Sequence, residues 1–255
     1  MGANYDDYEP SYEWATPECP NTIFISVYMR DRIDGDILDK AVQTAIKRFP
    51  YFQVSLKREG ENIISDFDER PIVVRKWLGG AFLGTEETNG HILIVSYKDN
   101  QIIFEITHYI TDGAGFSPFV KSALYYYVSD IYGTDIKKDG FYLCDMPFFD
   151  GEMGDPYKHI DFEHIDSPIY HYKKKDALIP DDLGIDVGAG NTVYYLDVNE
   201  ASFVGYAKKN GASPSVMMSQ ILMRTFRKLC PESKKYIVCG IGTNQKAVIG
   251  NRYNY

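Results

Sequence analysis

The feature that most constrains this chain is a pair of apolar runs meeting at a turn. HILIVSYKD (91–99) and NQIIFEIT (100–107) are rich in β-branched and aromatic residues. They join at Asp99-Asn100, a dipeptide suited to a tight turn. The pair predicts an antiparallel hairpin, which argues against a wholly parallel sheet. Directly after it comes HYITDGAG (108–115), a polar, Gly-rich loop at the end of a rigid strand.

Other elements read off the pattern with less force. NTIFISVYMR (21–30) is a strand. Ile37, Leu38, Ala41, Val42, Ala45, Ile46 and Phe49 recur at helical spacing, with Asp34 or Asp36 as cap and Pro50 as stop. YFQVSLKRE and NIISDFDE predict a second hairpin, and PIVVRKW a further strand. Ser117 followed by Pro118 predicts a helix start, continuing through FVKSALYYYVSDIY to Gly133. Residues 136–190 hold Pro, Asp and Gly with little periodicity and read as a long crossover linker. Beyond it, NTVYYLDV (191–198) predicts a strand and NEASFVGYAKKNG a short helix. A second helix is expected with Ser213 as cap and Pro214 at its first position, and YIVCGIGT (236–243) reads as a buried strand. The fold class is therefore α+β in two lobes, 1–135 and 191–255, joined by the linker.

The composition narrows the function. The 255 residues carry 27 Lys and Arg against 36 Asp and Glu, a net charge of −9. A chain this acidic makes a poor partner for nucleic acid, where phosphate neutralisation dominates affinity. It does not exclude an anionic cosubstrate meeting a local basic patch. The four cysteines form no CxxC pair. No basic-then-apolar leader opens the chain and no apolar stretch reaches membrane length. The expectation is a cytoplasmic protein with no membrane span.

The candidate chemistry lies in Thr107-His108-Tyr109-Ile110-Thr111-Asp112-Gly113. A histidine at a strand end is held rigidly yet opens to solvent, and its ordinary pKa suits proton transfer near neutrality. An aspartate four residues on can orient the imidazole or turn outward to pin the loop to a cation. Gly113 permits a positive φ. The same spacing also arises by chance, with the histidine satisfying local backbone groups.

The wider context resembles the acyl-coenzyme-A-dependent acyltransferase superfamily, which includes chloramphenicol acetyltransferase, alcohol acetyltransferases, the plant HxxxD acyltransferases and peptide-synthetase condensation domains. The opening strand with DGDILDKAVQTAIKRFPYFQVSL looks like the family's first strand, helix and second-strand start. THYITDGAGFSPFVKSAL looks like its motif loop and following helix. AKKNGASPSVMMSQILMRTF looks like the second-lobe helix pair, and CGIGTNQKAVIGNRYNY like the strand that precedes a basic residue. The resemblance implies a two-lobe, chloramphenicol-acetyltransferase-like sandwich of mixed sheet and packed helices. It implies acyl transfer from an acyl thioester, acyl-CoA, to a hydroxyl or amine acceptor, with His108 as general base. Asp112 and Gly113 would be structural, the Asp112 carboxylate turning to Lys246, which stands where the family usually has Arg. No permanently bound cofactor or metal is implied, and the coenzyme-binding residues stay unassigned. Thr107 replaces the first histidine of the family's HHxxxDG. The second lobe is expected to be incomplete, since no DFGWG-like segment appears. An exposed sheet edge and self-association into a homo-oligomer would follow. The alternatives are a non-catalytic remnant or binding module of the same fold, and peptide-synthetase-type condensation.

Other clusters have plainer readings. His159, Asp161, Glu163, His164 and Asp166 could ligate a metal on spacing alone, but they lie in the irregular stretch where solvated polar residues are expected. Lys208, Lys209, Arg224, Arg227, Lys228, Lys234 and Lys235 could meet coenzyme phosphates or form the solvated basic ends of amphipathic helices. Met217, Met218 and Met223 read as core, and Tyr125, Tyr126 and Tyr127 as part core, part surface. GAGFS is not a phosphate loop, because GxxxxGK is absent.

Overall fold

The computed structural model describes residues 21–59, 62–149, 152, 177–178 and 196–241. The chain divides into two compact units, Met1–His159 with Lys246–Tyr255, and Ile160–Gln245.

The first unit is built on a mixed sheet. Its strands are β1 (Thr22–Tyr28), β4 (Val74–Lys76), β5 (Leu93–Lys98) and β6 (Gln101–Thr107), in the order β1-β6-β5-β4. β6 pairs antiparallel with both β1 and β5, while β4 pairs parallel with β5. The hairpin turns at Asp99, whose φ of 51° is left-handed. β2 (Val54–Glu59) and β3 (Asn62–Phe67) form a separate antiparallel pair, the second hairpin expected from the sequence. PIVVRKW contributes only the short β4, because the paired ladder stops after Lys76.

Helix α1 (Gly35–Ile46) begins where Asp34 Oδ1 accepts from the Asp36 and Ile37 N–H groups, so Asp34 is the cap. That bond satisfies amides that no helical carbonyl can reach. Leu38, Ala41, Val42, Ala45 and Ile46 form its buried stripe. A Cβ on Gly35 would fall onto the Tyr97 ring, so glycine is needed there. Helix α2 (Gly113–Tyr132) packs against α1 and ends at Gly133, which is left-handed at φ 59°.

α2 starts earlier than the Ser117-Pro118 pair predicts. Asp112 is its cap, and Pro118 lies inside it. The proline leaves the Ala114 carbonyl without its usual N–H partner, and Ala114 is exposed, so water can take that role. The Asp112 cap therefore outweighs the preference of Pro for the first turn.

The even-numbered residues of β6, Ile102, Phe104 and Ile106, join the main core with α1 and α2. An aromatic cluster joins the layers. Phe119 of α2 meets Phe104 at 6.2 Å and Phe49 at 5.7 Å, and Phe116 meets Phe52 at 5.8 Å. Such edge-to-face pairs add to the stabilisation from area burial.

Beyond α1, Arg48 is 2% exposed. Its Nη1 and Nη2 donate to both oxygens of buried Glu152 at 2.7 Å, and Nη2 donates to the Pro147 carbonyl at 3.1 Å. Tyr51 Oη donates to Glu152 at 2.7 Å. Burial alone would raise the Glu152 carboxyl, but the Arg48, Tyr51 and Phe149 donors overcome it and hold it below its ordinary value. The pair ties Pro147 and Glu152 to the end of α1.

The second unit contains α3 (Glu200–Lys209) and α4 (Pro214–Leu229). Asn199 caps α3 and Ser213 caps α4, with Pro214 at the first position as predicted. Met217 is buried, while Met218 and Met223 are half-buried. The predicted strand 236–243 does not form over its described residues, 236–241. Tyr236 makes one isolated bridge to Ala177, and Val238 and Ile241 are exposed. An apolar run becomes a strand only where a second strand supplies a ladder. The predicted strand 191–198 is likewise absent at 196–198, and its first residues lie outside the described ones.

Removing one partner of a buried ion pair leaves an uncompensated charge. Arg48→Ala should therefore cost about 3–5 kcal/mol of stability, read by urea denaturation of the full chain. The joint change Arg48→Met with Glu152→Leu should cost markedly less.

Candidate active site

The loop 108–112 joins the buried end of β6 to α2. Thr107, the last residue of β6, is buried and pairs in register with Thr22. Its N–H donates to the Ile92 carbonyl at 3.0 Å, and the His108 N–H donates to the Asn21 carbonyl at 2.9 Å. The backbone on both sides of the His108 peptide is thus tied to flanking segments. Tyr109 and Ile110 turn inward to the main core, while His108 is exposed. This division follows from residue type: the two apolar neighbours bury and the imidazole remains in solvent.

Asp112 sits in extended backbone, and its Oδ1 accepts from the Gly115 N–H at 2.6 Å. Its carbonyl accepts from the Phe116 N–H at 2.9 Å. The aspartate thus joins the loop to the first turn of α2. Gly113 is the first helical residue and does not use the left-handed conformation that the sequence permits. An added Cβ there meets nothing within 4 Å. Lys246, its expected partner, lies outside the described residues, as do His159, Asp161, Glu163, His164 and Asp166. Chemically, the site presents one solvent-facing imidazole on a backbone fixed from both sides.

Ser117 is in the second turn of α2, not at its cap. Of the tyrosines on α2, Tyr127 is buried with its hydroxyl accepting from the Asp34 N–H at 3.0 Å, while Tyr125 and Tyr126 are half-buried. In the second unit, Arg227 binds the carbonyls of Ser233 and Lys235, which makes it a tie across the end of α4. Lys208, Lys209, Arg224, Lys228 and Lys234 are exposed. Among the described residues, no helix is long and apolar enough to cross a membrane, and no group of three or more His, Cys, Asp or Glu could hold a metal ion.

The structure adds one polar group that the motif reading missed. Glu105 lies on β6, two residues before Thr107, on the face opposite the main core, and is 4% exposed. Its Oε2 has no hydrogen-bond partner. Burial pushes its carboxyl up to about 7, despite nearby Arg75, which pulls the other way. QIIFEIT places an acid within a strongly apolar strand, but its burial depends on what covers the second face of the sheet, which spacing does not give.

No protein-family model matches the chain, and no curated protein matches it. Solved structures similar to parts of it include the SgcC5 protein from Streptomyces globisporus, with 16% identity and a TM-score of 0.36 over 46% of this chain and 32% of that one. The starter condensation domain of rhizomide synthetase gives 11% identity and a TM-score of 0.39 over 51% of this chain and 37% of that one. The epimerization domain from the third module of tyrocidine synthetase B gives 12% identity and a TM-score of 0.35 over 46% and 31%. The chain spans about a third of the length of these solved chains.

Because Asp112 caps α2, Asp112→Ala should cost about 0.5–2 kcal/mol, and Asp112→Asn should cost less, both by chemical denaturation. Gly113→Ala should fold with undiminished stability, since the position is helical and open.

Proposed function

We propose that the first unit carries an acyl-transfer site in which His108 is the general base. The observation that supports this reading most is the placement of His108. It is exposed, sits at the end of a buried strand, and has its own N–H held by Asn21. A general base must keep a fixed direction and still reach a substrate proton. The tied backbone and exposed side chain of His108 support such a role, and the resemblance of 107–124 to the acyltransferase motif loop and helix supplies the reaction class.

In this reading, His108 removes the proton from an acceptor hydroxyl or amine. The acceptor attacks the thioester carbonyl, the tetrahedral oxyanion is stabilised by hydrogen-bond donors, and the thiolate leaves. The Asp112 cap holds the loop while the proton moves. The wider assignment is a two-lobe acyltransferase-like sandwich, with a thioester and a small acyl acceptor as partners. The donor is coenzyme A in the main reading and a carrier-bound pantetheine in the condensation reading.

The test is thiol release from acyl-CoA and, separately, from an acyl-pantetheine carrier, with hydroxyl and amine acceptors. His108→Ala should lower turnover by about 10²–10⁴-fold, with an unchanged unfolding transition. Near wild-type turnover in the folded variant would remove His108 from the mechanism. Release from the carrier alone would select condensation, and release from neither thioester would select the non-catalytic reading.

A further inference from the structure

The second face of the sheet carries buried polar groups that the acyl-transfer reading does not use. Glu105 stands in register with Ile94 on β5 and Phe24 on β1. One row along, Arg75 of β4 is in register with Ser96 of β5, and Ser96 with Ile103 of β6. Alternation puts Arg75, Ser96 and Glu105 on the same face. Three of their atoms are buried and unpartnered: Glu105 Oε2, Ser96 Oγ and Arg75 Nε.

The segment 77–90 is tied to this face. The Trp77 N–H donates to the Tyr97 carbonyl at 2.8 Å, and the Trp77 ring meets Phe24 edge-on at 5.9 Å. Glu87 holds the segment from two directions. Its Oε1 pairs with Arg75 Nη2 at 2.7 Å, and its Oε2 accepts from the Phe82 N–H at 3.1 Å. The charged groups acting on Glu105 are therefore Arg75 from β4 and Glu87 from the segment. Its register neighbours, Phe24 and Ile94, carry no charge.

This arrangement is stable in one protonation state. A neutral Glu105 carboxyl is buried at modest cost and leaves Arg75 with Glu87. An ionised Glu105 is a second carboxylate sharing one guanidinium, in a place where water does not reach it. A buried charge is relieved by pairing or by solvation. Arg75 has an unpartnered Nε–H to offer, and the register neighbour Phe24 is half-exposed, so solvation requires opening at that edge. Turning Arg75 toward Glu105 competes with its pair to Glu87, and admitting water parts the segment from the sheet face.

We propose that Glu105 is a proton-operated latch for residues 77–90: neutral, it lets the segment lie closed on the sheet; ionised, it draws Arg75 from Glu87 and the segment opens. Its elevated folded-state pKa gives the direction. A carboxyl raised from 4.5 to about 7 binds its proton more tightly in the closed state. The closed state is then favoured below about 4.5, loses stability as pH rises to about 7, and loses no more above it. The latch lies on the strand that ends at His108, but the proposal stands without the acyl-transfer reading.

Amide hydrogen exchange on the full chain, corrected for intrinsic rates, tests it. Opening of 77–90 should rise at least about tenfold between pH 5 and pH 7 and level off above that. In Glu105→Gln the segment should stay closed at every pH. A flat wild-type profile, or a Glu105→Gln profile that follows the wild type, would overturn the latch. A second measurement needs no variant. Carbon-detected NMR should show the Glu105 carboxyl titrating near neutrality, with the Arg75 Nε–H signal moving at the same midpoint. A carboxyl midpoint below about 5, in the ordinary range, or an unmoved Arg75 signal, would refute it.

Discussion

The rest of the first unit depends on one constraint: β6 is buried on both faces. From Ile102 to Thr107 every side chain is withdrawn from water, and the strand is paired on both edges. A central strand of this kind leaves no face free to remain polar. Helices α1 and α2 cover the side of Phe104, and the segment after β4 is tied to the side of Glu105. The hairpin, the helix pair and the aromatic cluster between them all answer this one demand.

The candidate site follows from how β6 ends. The chain cannot leave a buried strand without satisfying its backbone, so the Thr107 and His108 amides go to the carbonyls of Ile92 and Asn21. Tyr109 and Ile110 return to the core, and Asp112 begins α2. Within that path His108 is the side chain left in solvent. A fixed backbone carrying an exposed imidazole is thus a by-product of burying the residues around it.

Two buried carboxylates show how differently the fold treats charge. Glu152 receives donors from Arg48, Tyr51 and the Phe149 amide, and stays ionised despite its burial. Its role is to fasten a distant segment to the end of α1. Glu105 has one orphan oxygen and an arginine committed elsewhere, so desolvation dominates and the neutral acid is favoured. The first pair is a structural clamp. The second leaves an unspent interaction between Glu105 and Arg75, whose balance depends on a single proton.

Local chemistry was legible in the sequence by itself. The β5–β6 hairpin, an aspartate cap at 34 or 36, the Ser213 cap, Pro214 at the start of α4 and Gly133 at the end of α2 each depend on residues within a turn of one another. The His108 loop was legible for the same reason, as a polar break after a strongly patterned strand. Tertiary structure decided what lies far apart in the chain. Whether 236–241 found a full strand partner, whether Asp112 overruled Pro118, and which acid met Arg48 104 positions away could not be read from spacing. The reason is physical. Caps and turns are satisfied by neighbours in sequence, whereas desolvation and charge pairing are set by whatever the folded chain brings near, and Glu105 differs from an ordinary surface acid only in what covers it.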